Sequence, residues 1–126
     1  MLVHIDTSVL IDAFTEERPL ISRLRTVTAR GDVVGFSTVV LYEWRRGPRR
    51  ETEKQAVDAF FEDELIVAFG KREAHRAADL YRRVTRARQR QADIAIAACA
   101  IEHGASLWTL NRSDFDDLPG LTLFGA

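Results

Sequence analysis

Four acidic residues, widely separated in the chain, stand where an apolar run ends or a helix begins. Asp6 closes Leu2-Val3-His4-Ile5 and is followed by Thr7-Ser8 and an apolar helical pattern. Glu43 lies within Ser37-Thr38-Val39-Val40-Leu41-Tyr42-Glu43-Trp44, and Asp93 opens the apolar stretch that runs from Ala92 to Ile101. Asp114 follows Leu107-Trp108-Thr109-Leu110-Asn111. In an open α/β sheet, sites form in the crevice outside the carboxyl ends of the strands. Carboxylates gathered there repel one another unless a hard divalent cation holds them. The pattern therefore predicts a metal-dependent enzyme.

Taken singly, each acid has an ordinary role. Asp6 suits a helix N-cap, Glu43 a solvated helix face, Asp93 a helix first turn, and Asp114 an Asn/Ser/Asp turn. Asp93 is the hardest to explain away, because its helix is Ile or Ala on nearly every side and a carboxylate there is costly without a partner. Thr109, Asn111 and Asp114 also place three polar groups directly after a buried strand. It is the conjunction that points to chemistry.

The elements that must position these acids alternate strand and helix. Strands are predicted at Leu2–Ile5, Val33–Phe36, Leu65–Phe69 and Ser106–Leu110, with a short fifth at Leu121–Phe124. Helices are predicted over Ser8–Phe14, from Pro19 to Gly31, from Ser37 as N-cap through Arg45, and over Arg49–Phe61, Lys71–Arg88 and Ala92–His103. Ala56, Ala59 and Phe60 are expected to face inward on the fourth. On the fifth, the expected stripe is Ala74, Ala77, Ala78, Tyr81 and Val84. Near-continuous apolar strands alternating with helices imply a three-layer α/β/α fold around a parallel sheet of four to five strands. The 126 residues read as a single domain, 1–126, with no repeat or linker to divide them.

Composition is that of an ordinary soluble protein, 46% hydrophobic and 29% charged. The charge is unevenly distributed. Lys71–Arg90 carries eight basic residues against Glu73 and Asp79, a net +6 within a chain of net −1. A second basic knot, Arg45-Arg46-Gly47-Pro48-Arg49-Arg50, follows Glu43. Such asymmetry suits either a solvated helix face or a polyanion approaching one side. The single cysteine, Cys99, reads as a packing residue in an apolar helix. No signal-peptide pattern or spanning apolar run is present, so a cytoplasmic location without membrane attachment is expected. His4, His75 and His103 are too scattered for a zinc site, and no phosphate-binding glycine loop occurs.

Asp6-Thr7-Ser8 after an N-terminal strand, Glu43 in a following helix, Ala92-Asp93-Ile94-Ala95-Ile96-Ala97-Ala98, and Thr109-Leu110-Asn111-Arg112-Ser113-Asp114-Phe115 together resemble the PIN-domain nucleases. Length and motif order look most like the VapC-type toxin ribonucleases of type II toxin–antitoxin pairs. The resemblance implies an acidic quartet of Asp6, Glu43, Asp93 and Asp114 that binds one or two Mg²⁺ or Mn²⁺ ions. It also implies supporting polar groups from Thr7 or Ser8 and from Thr109 or Asn111, and endonucleolytic cleavage of RNA. Asp6, Asp93 and Asp114 are the expected ligands, with Glu43 orienting water or holding a second ion. Arg45, Arg46, Arg86, Arg88 and Arg90 are the candidates for RNA contact. A VapB-like antitoxin and a homodimer are the implied partners, with Tyr42 and Trp44 as interface anchors or, for Trp44, core. The family often carries a glycine-containing loop before its third acid, where this chain has Arg86-Ala87-Arg88-Gln89-Arg90-Gln91. Alternatives within this frame are a nuclease acting on structured DNA or a ribosomal RNA precursor, and a non-catalytic binding subunit.

Overall fold

In the computed structural model, which describes residues 1–15 and 19–125, four short strands form one parallel sheet. They are β1 (Leu2–Ile5), β2 (Val33–Ser37), β3 (Ile66–Val67) and β4 (Ser106–Trp108), in the order β3-β2-β1-β4. The helices are α1 (Thr7–Phe14), α2 (Pro19–Ala29), α3 (Thr38–Arg46), α4 (Glu51–Phe60), α5 (Lys71–Arg83) and α6 (Gln91–Glu102). β1 pairs with β2 through Val3↔Val34 and with β4 through His4↔Leu107. The first three strands step toward one edge, and β4 then returns to the far side of β1. That reversal makes a topological switch point between β1 and β4, where the crevice of a parallel sheet opens.

Helices pack on both faces of the sheet. α1 lies against α2 and α4, while α5 pairs with α6, which covers β2 and β4. This is the α/β/α arrangement expected from the alternating pattern. The core holds Val3, Ile5, Val9, Leu10, Phe36, Trp44 and Leu107, with Phe36 and Phe61 edge to face at 4.9 Å. Trp44 is fully buried beneath the Arg49 guanidinium, and Tyr42 is exposed. Of the two aromatic candidates for an interface, Trp44 is therefore core.

Local chemistry sets several boundaries. Ser37 caps α3 by accepting from the Val40 amide, and Gly47 ends it. Gly104 closes α6 at φ +65°, a left-handed position that suits glycine. Other expectations need correction. α5 stops at Arg83 rather than Arg88, because Val84 is extended and Arg86 turns left-handed at φ 52°. β3 shrinks to Ile66–Val67, since Asp63–Leu65 winds into a 3₁₀ turn, and β4 ends at Trp108 rather than Leu110. The expected fifth strand contributes one isolated parallel bridge, Leu107↔Leu123.

Two helix faces match expectation only in part, with Phe60, Ala77 and Val84 packed against the core as expected. On α4, Glu53 and Val57 are buried while Ala56 and Ala59 are exposed. On α5, Glu73 and Leu80 are buried while Ala74, Ala78 and Tyr81 are exposed. The reason is capping. Glu53 accepts from the Arg50 amide at 2.8 Å and Glu73 from the Gly70 amide at 3.2 Å, which folds each carboxylate back into its first turn. Glu73 also faces His103 at 3.1 Å, and His103 in turn stacks at a tilt on buried His4. No described helix is long and apolar enough to cross a membrane.

Candidate active site

The switch point is stitched together by Asp6. It follows β1, is only 4% exposed, and its amide donates to the Trp108 carbonyl at 3.0 Å. One carboxylate oxygen, Oδ1, accepts from the Ser8 amide and the Ser8 hydroxyl, both at 2.5 Å. The other, Oδ2, accepts from the Thr109 hydroxyl at 2.5 Å. Thr109 Oγ1 in turn accepts from the Asn111 amide, and Ser8 Oγ accepts from the Leu110 amide. The N-cap of α1 and the loop leaving β4 are thus held by one carboxylate.

Glu43 projects from α3, whose first turn starts where β2 ends. Its Oε1 accepts from Thr7 Oγ1 at 2.6 Å, and Arg46 sits 3.7 Å from Oε2. Of the four polar residues flanking the acids, Thr7, Ser8 and Thr109 each bond an acid through the side chain. Asn111 contributes its backbone amide.

Asp93 lies in the first turn of α6. Because α6 runs down to Gly104 and the start of β4, its N-terminus stands at the carboxyl ends of the strands. Among the described residues no hydrogen-bond donor reaches the Asp93 carboxyl. Burial pushes its pKa up to about 6, with further upward pressure from Asp114, Asp6 and Glu43 and a smaller opposing pull from Arg90. All four acids therefore lie within one electrostatic neighbourhood. Asp114 is exposed, on a 3₁₀ turn (Arg112–Asp114), and shares with Asp93 a cleft of about 390 Å³. Arg86, Gln89, Arg90 and Asp117 also line that cleft.

The donor set is all oxygen, which suits Mg²⁺ or Mn²⁺ rather than zinc. Among the described residues no three His, Cys, Asp or Glu side chains are grouped closely enough to hold an ion by themselves. The unpartnered carboxyl of Asp93, costly where it stands, is what a cation would relieve.

The basic candidates divide by what they already touch. Arg45 pairs with Asp58 at 2.8 Å, and Arg46 lies over the Tyr42 ring. Arg86 and Arg88 are exposed, and Arg86 stands at the cleft. Arg90 is turned inward, forking onto Asp117 and reaching the carbonyls of Thr85 and Asp114. Neither this clamp nor Asp117 was legible in the sequence, where Arg90 is one more letter in a basic run.

Comparison with known proteins agrees with this architecture. The PIN domain family model matches residues 3–121. The chain belongs to the PIN domain family. Solved structures share this fold over nearly the whole chain. VapBC2 from Rickettsia felis, bound to a DNA fragment from its promoter, has a TM-score of 0.76 at 21% identity, covering 98% of both chains. DNA-bound VapBC from Salmonella typhimurium gives 0.75 at 20% identity, again covering 98% of both. A toxin–antitoxin complex from Klebsiella pneumoniae gives 0.68 at 22% identity, covering 95% of both. No curated protein matches the chain. Within that fold, Asp93 and Asp114 line one cleft of this chain, and Asp6 follows β1.

Proposed function

We propose that this PIN domain is a Mg²⁺- or Mn²⁺-dependent endoribonuclease, the toxin of a type II toxin–antitoxin pair. One observation carries the reading: no hydrogen-bond donor among the described residues reaches the Asp93 carboxyl, which shares a cleft with Asp114 and is pushed up first by burial and then by Asp114, Asp6 and Glu43. A bound divalent ion supplies an activated water and neutralises charge building on the leaving oxygen. Asp6, Asp93 and Asp114 are the residues to hold it. Ser8 and Thr109 fix both oxygens of Asp6, so that ligand is set before any ion arrives. Glu43, steadied by Thr7, is the group to orient water or take a second ion.

Phosphate needs positive charge beside this acidic cleft, and Arg86 and Arg88 supply exposed guanidinium groups at the turn leading to Asp93. A VapB-like antitoxin and a second copy of the chain are the proposed partners. Supporting the antitoxin is an apolar groove of about 270 Å³ where Ala13, Phe14, Ile21, Ala56, Ala59 and Phe60 meet, of a kind that receives an amphipathic helix.

The test is cleavage of a labelled RNA with Mg²⁺, with EDTA, and with Asp6→Asn or Asp93→Asn. Cleavage should require the ion and fall by about 100-fold or more in each variant, with the fold retained by circular dichroism. Undiminished cleavage in EDTA would overturn the proposal.

A further inference from the structure

Arg90 sits at the end of a 3₁₀ turn (Ala87–Arg90), three residues before Asp93, and its side chain is only 13% exposed. All four of its terminal N–H donors point at acceptors. Nη1 reaches the Thr85 carbonyl at 3.1 Å and Asp117 Oδ2 at 2.9 Å. Nη2 reaches the Asp114 carbonyl at 3.0 Å and Asp117 Oδ1 at 2.5 Å. A guanidinium has five N–H donors, so only Nε–H is left for anything else. The paired contacts to Asp117 form a planar fork that lysine cannot reproduce.

The segment carrying Asp114 has no strand pairing of its own. Its backbone bonds are local turns, Asp114 N–H to Asn111 O at 2.9 Å, Phe115 and Asp116 N–H to Arg112 O at 3.0 Å and Leu118 N–H to Phe115 O at 3.2 Å, with Phe115 buried below and Arg112 Nη1 donating to the Phe124 carbonyl at 3.0 Å. Arg90 ties that turn to the start of α6. We infer that Arg90 is a positioning residue: its fork on Asp117 and its bond to the Asp114 carbonyl set Asp114 against Asp93, so that the two carboxylates can serve one divalent cation. This rests on the metal-nuclease reading and gives Arg90 a task other than gripping RNA.

The experiment compares wild type with Arg90→Lys and Asp117→Asn. Mn²⁺ binding is measured by calorimetry, amide hydrogen exchange across residues 111–118 without metal, and kcat, KM and salt dependence on one RNA. Positioning predicts that both variants bind Mn²⁺ about 10-fold more weakly. The Asp114 and Phe115 amides should exchange faster while global stability holds, and kcat should fall with KM and salt slope unchanged. Unaltered Mn²⁺ affinity and exchange in Asp117→Asn, with Arg90→Lys raising KM and flattening the salt slope, would make Arg90 an RNA contact and overturn the inference. A wild type that neither binds Mn²⁺ nor cleaves RNA defeats the nuclease reading itself. A competent wild type with indifferent variants defeats only the role of Arg90.

Discussion

Asp93 links charge to stability in a direction that can be measured. Its pKa in the folded protein is about 6, raised from 3.8. Above pH 6 the metal-free fold must hold a charge that the unfolded chain carries freely, so the cost is complete there. As pH falls from 6 toward 4 the folded state takes up the proton first and the cost disappears. His4 works the opposite way. Burial, with His103 nearby, lowers it from 6.5 to about 4, so its contribution is lost as pH falls through that window. Asp93→Asn isolates the first effect. In EDTA the variant should be more stable than wild type by about 1–2 kcal/mol at pH 7.5, allowing for solvent screening at the open cleft. The difference should vanish near pH 4 when followed by urea denaturation. Asp6, Asp93 and Asp114 were legible because each falls at an element boundary, whereas Glu43, in the middle of α3, was legible only through the motif order. Asp117 was not, since it sits among Asp114 and Asp116 and its partner lies 27 positions away.

At the scale of elements, β2 and the turn before α6 carry the sharpest tests. A Cβ at Gly35 would collide with the backbone carbonyl of Leu65, which precedes β3. Backbone cannot swing aside as a side chain can, so Gly35→Ala should cost about 3 kcal/mol or more, or yield insoluble protein. Chemical denaturation decides it. Arg86 poses the reverse case, a non-glycine residue at φ 52°. Its left-handed backbone costs about 1–2 kcal/mol, and glycine's extra freedom in the unfolded chain offsets about 0.5–1 of that. Arg86→Gly should therefore leave stability equal or slightly raised. Strand–helix order, caps and the α6 boundary were readable because Ser37, Gly47 and Gly104 act locally. The inward faces of α4 and α5 were readable only in part, through Phe60, Ala77 and Val84. Alanine spacing alone does not reveal that Glu53 and Glu73 fold back on their own first turns, nor that Ala56 and Ala59 border a groove.

At the scale of the whole molecule, a basic turn stands beside the acidic cleft. Arg86→Glu with Arg88→Glu, both exposed, should weaken binding to every RNA tested and flatten the salt dependence by about two units of slope. Mn²⁺ affinity should change little by comparison. Filter binding across a salt series checks this, and an unchanged slope would move RNA docking to Arg45 and Arg46. The parallel sheet and its layers followed from apolar runs. The return of β4 to the far side of β1 did not, because strand order depends on which edge the α5–α6 crossover reaches, and no local signal encodes that.

The bond between Thr109 and Asp6 joins residues 103 positions apart. During synthesis β1 emerges early, yet one of its edges has no neighbour until β4 follows. Asp6 meanwhile has Ser8 but not Thr109, and Asp93 has no Asp114 beside it. A ribosome-bound chain that stops short of residue 109 thus carries two or three of the acids without the crevice that gathers them. Under the function proposed above, that timing would keep the nascent chain inactive until its last strand docks.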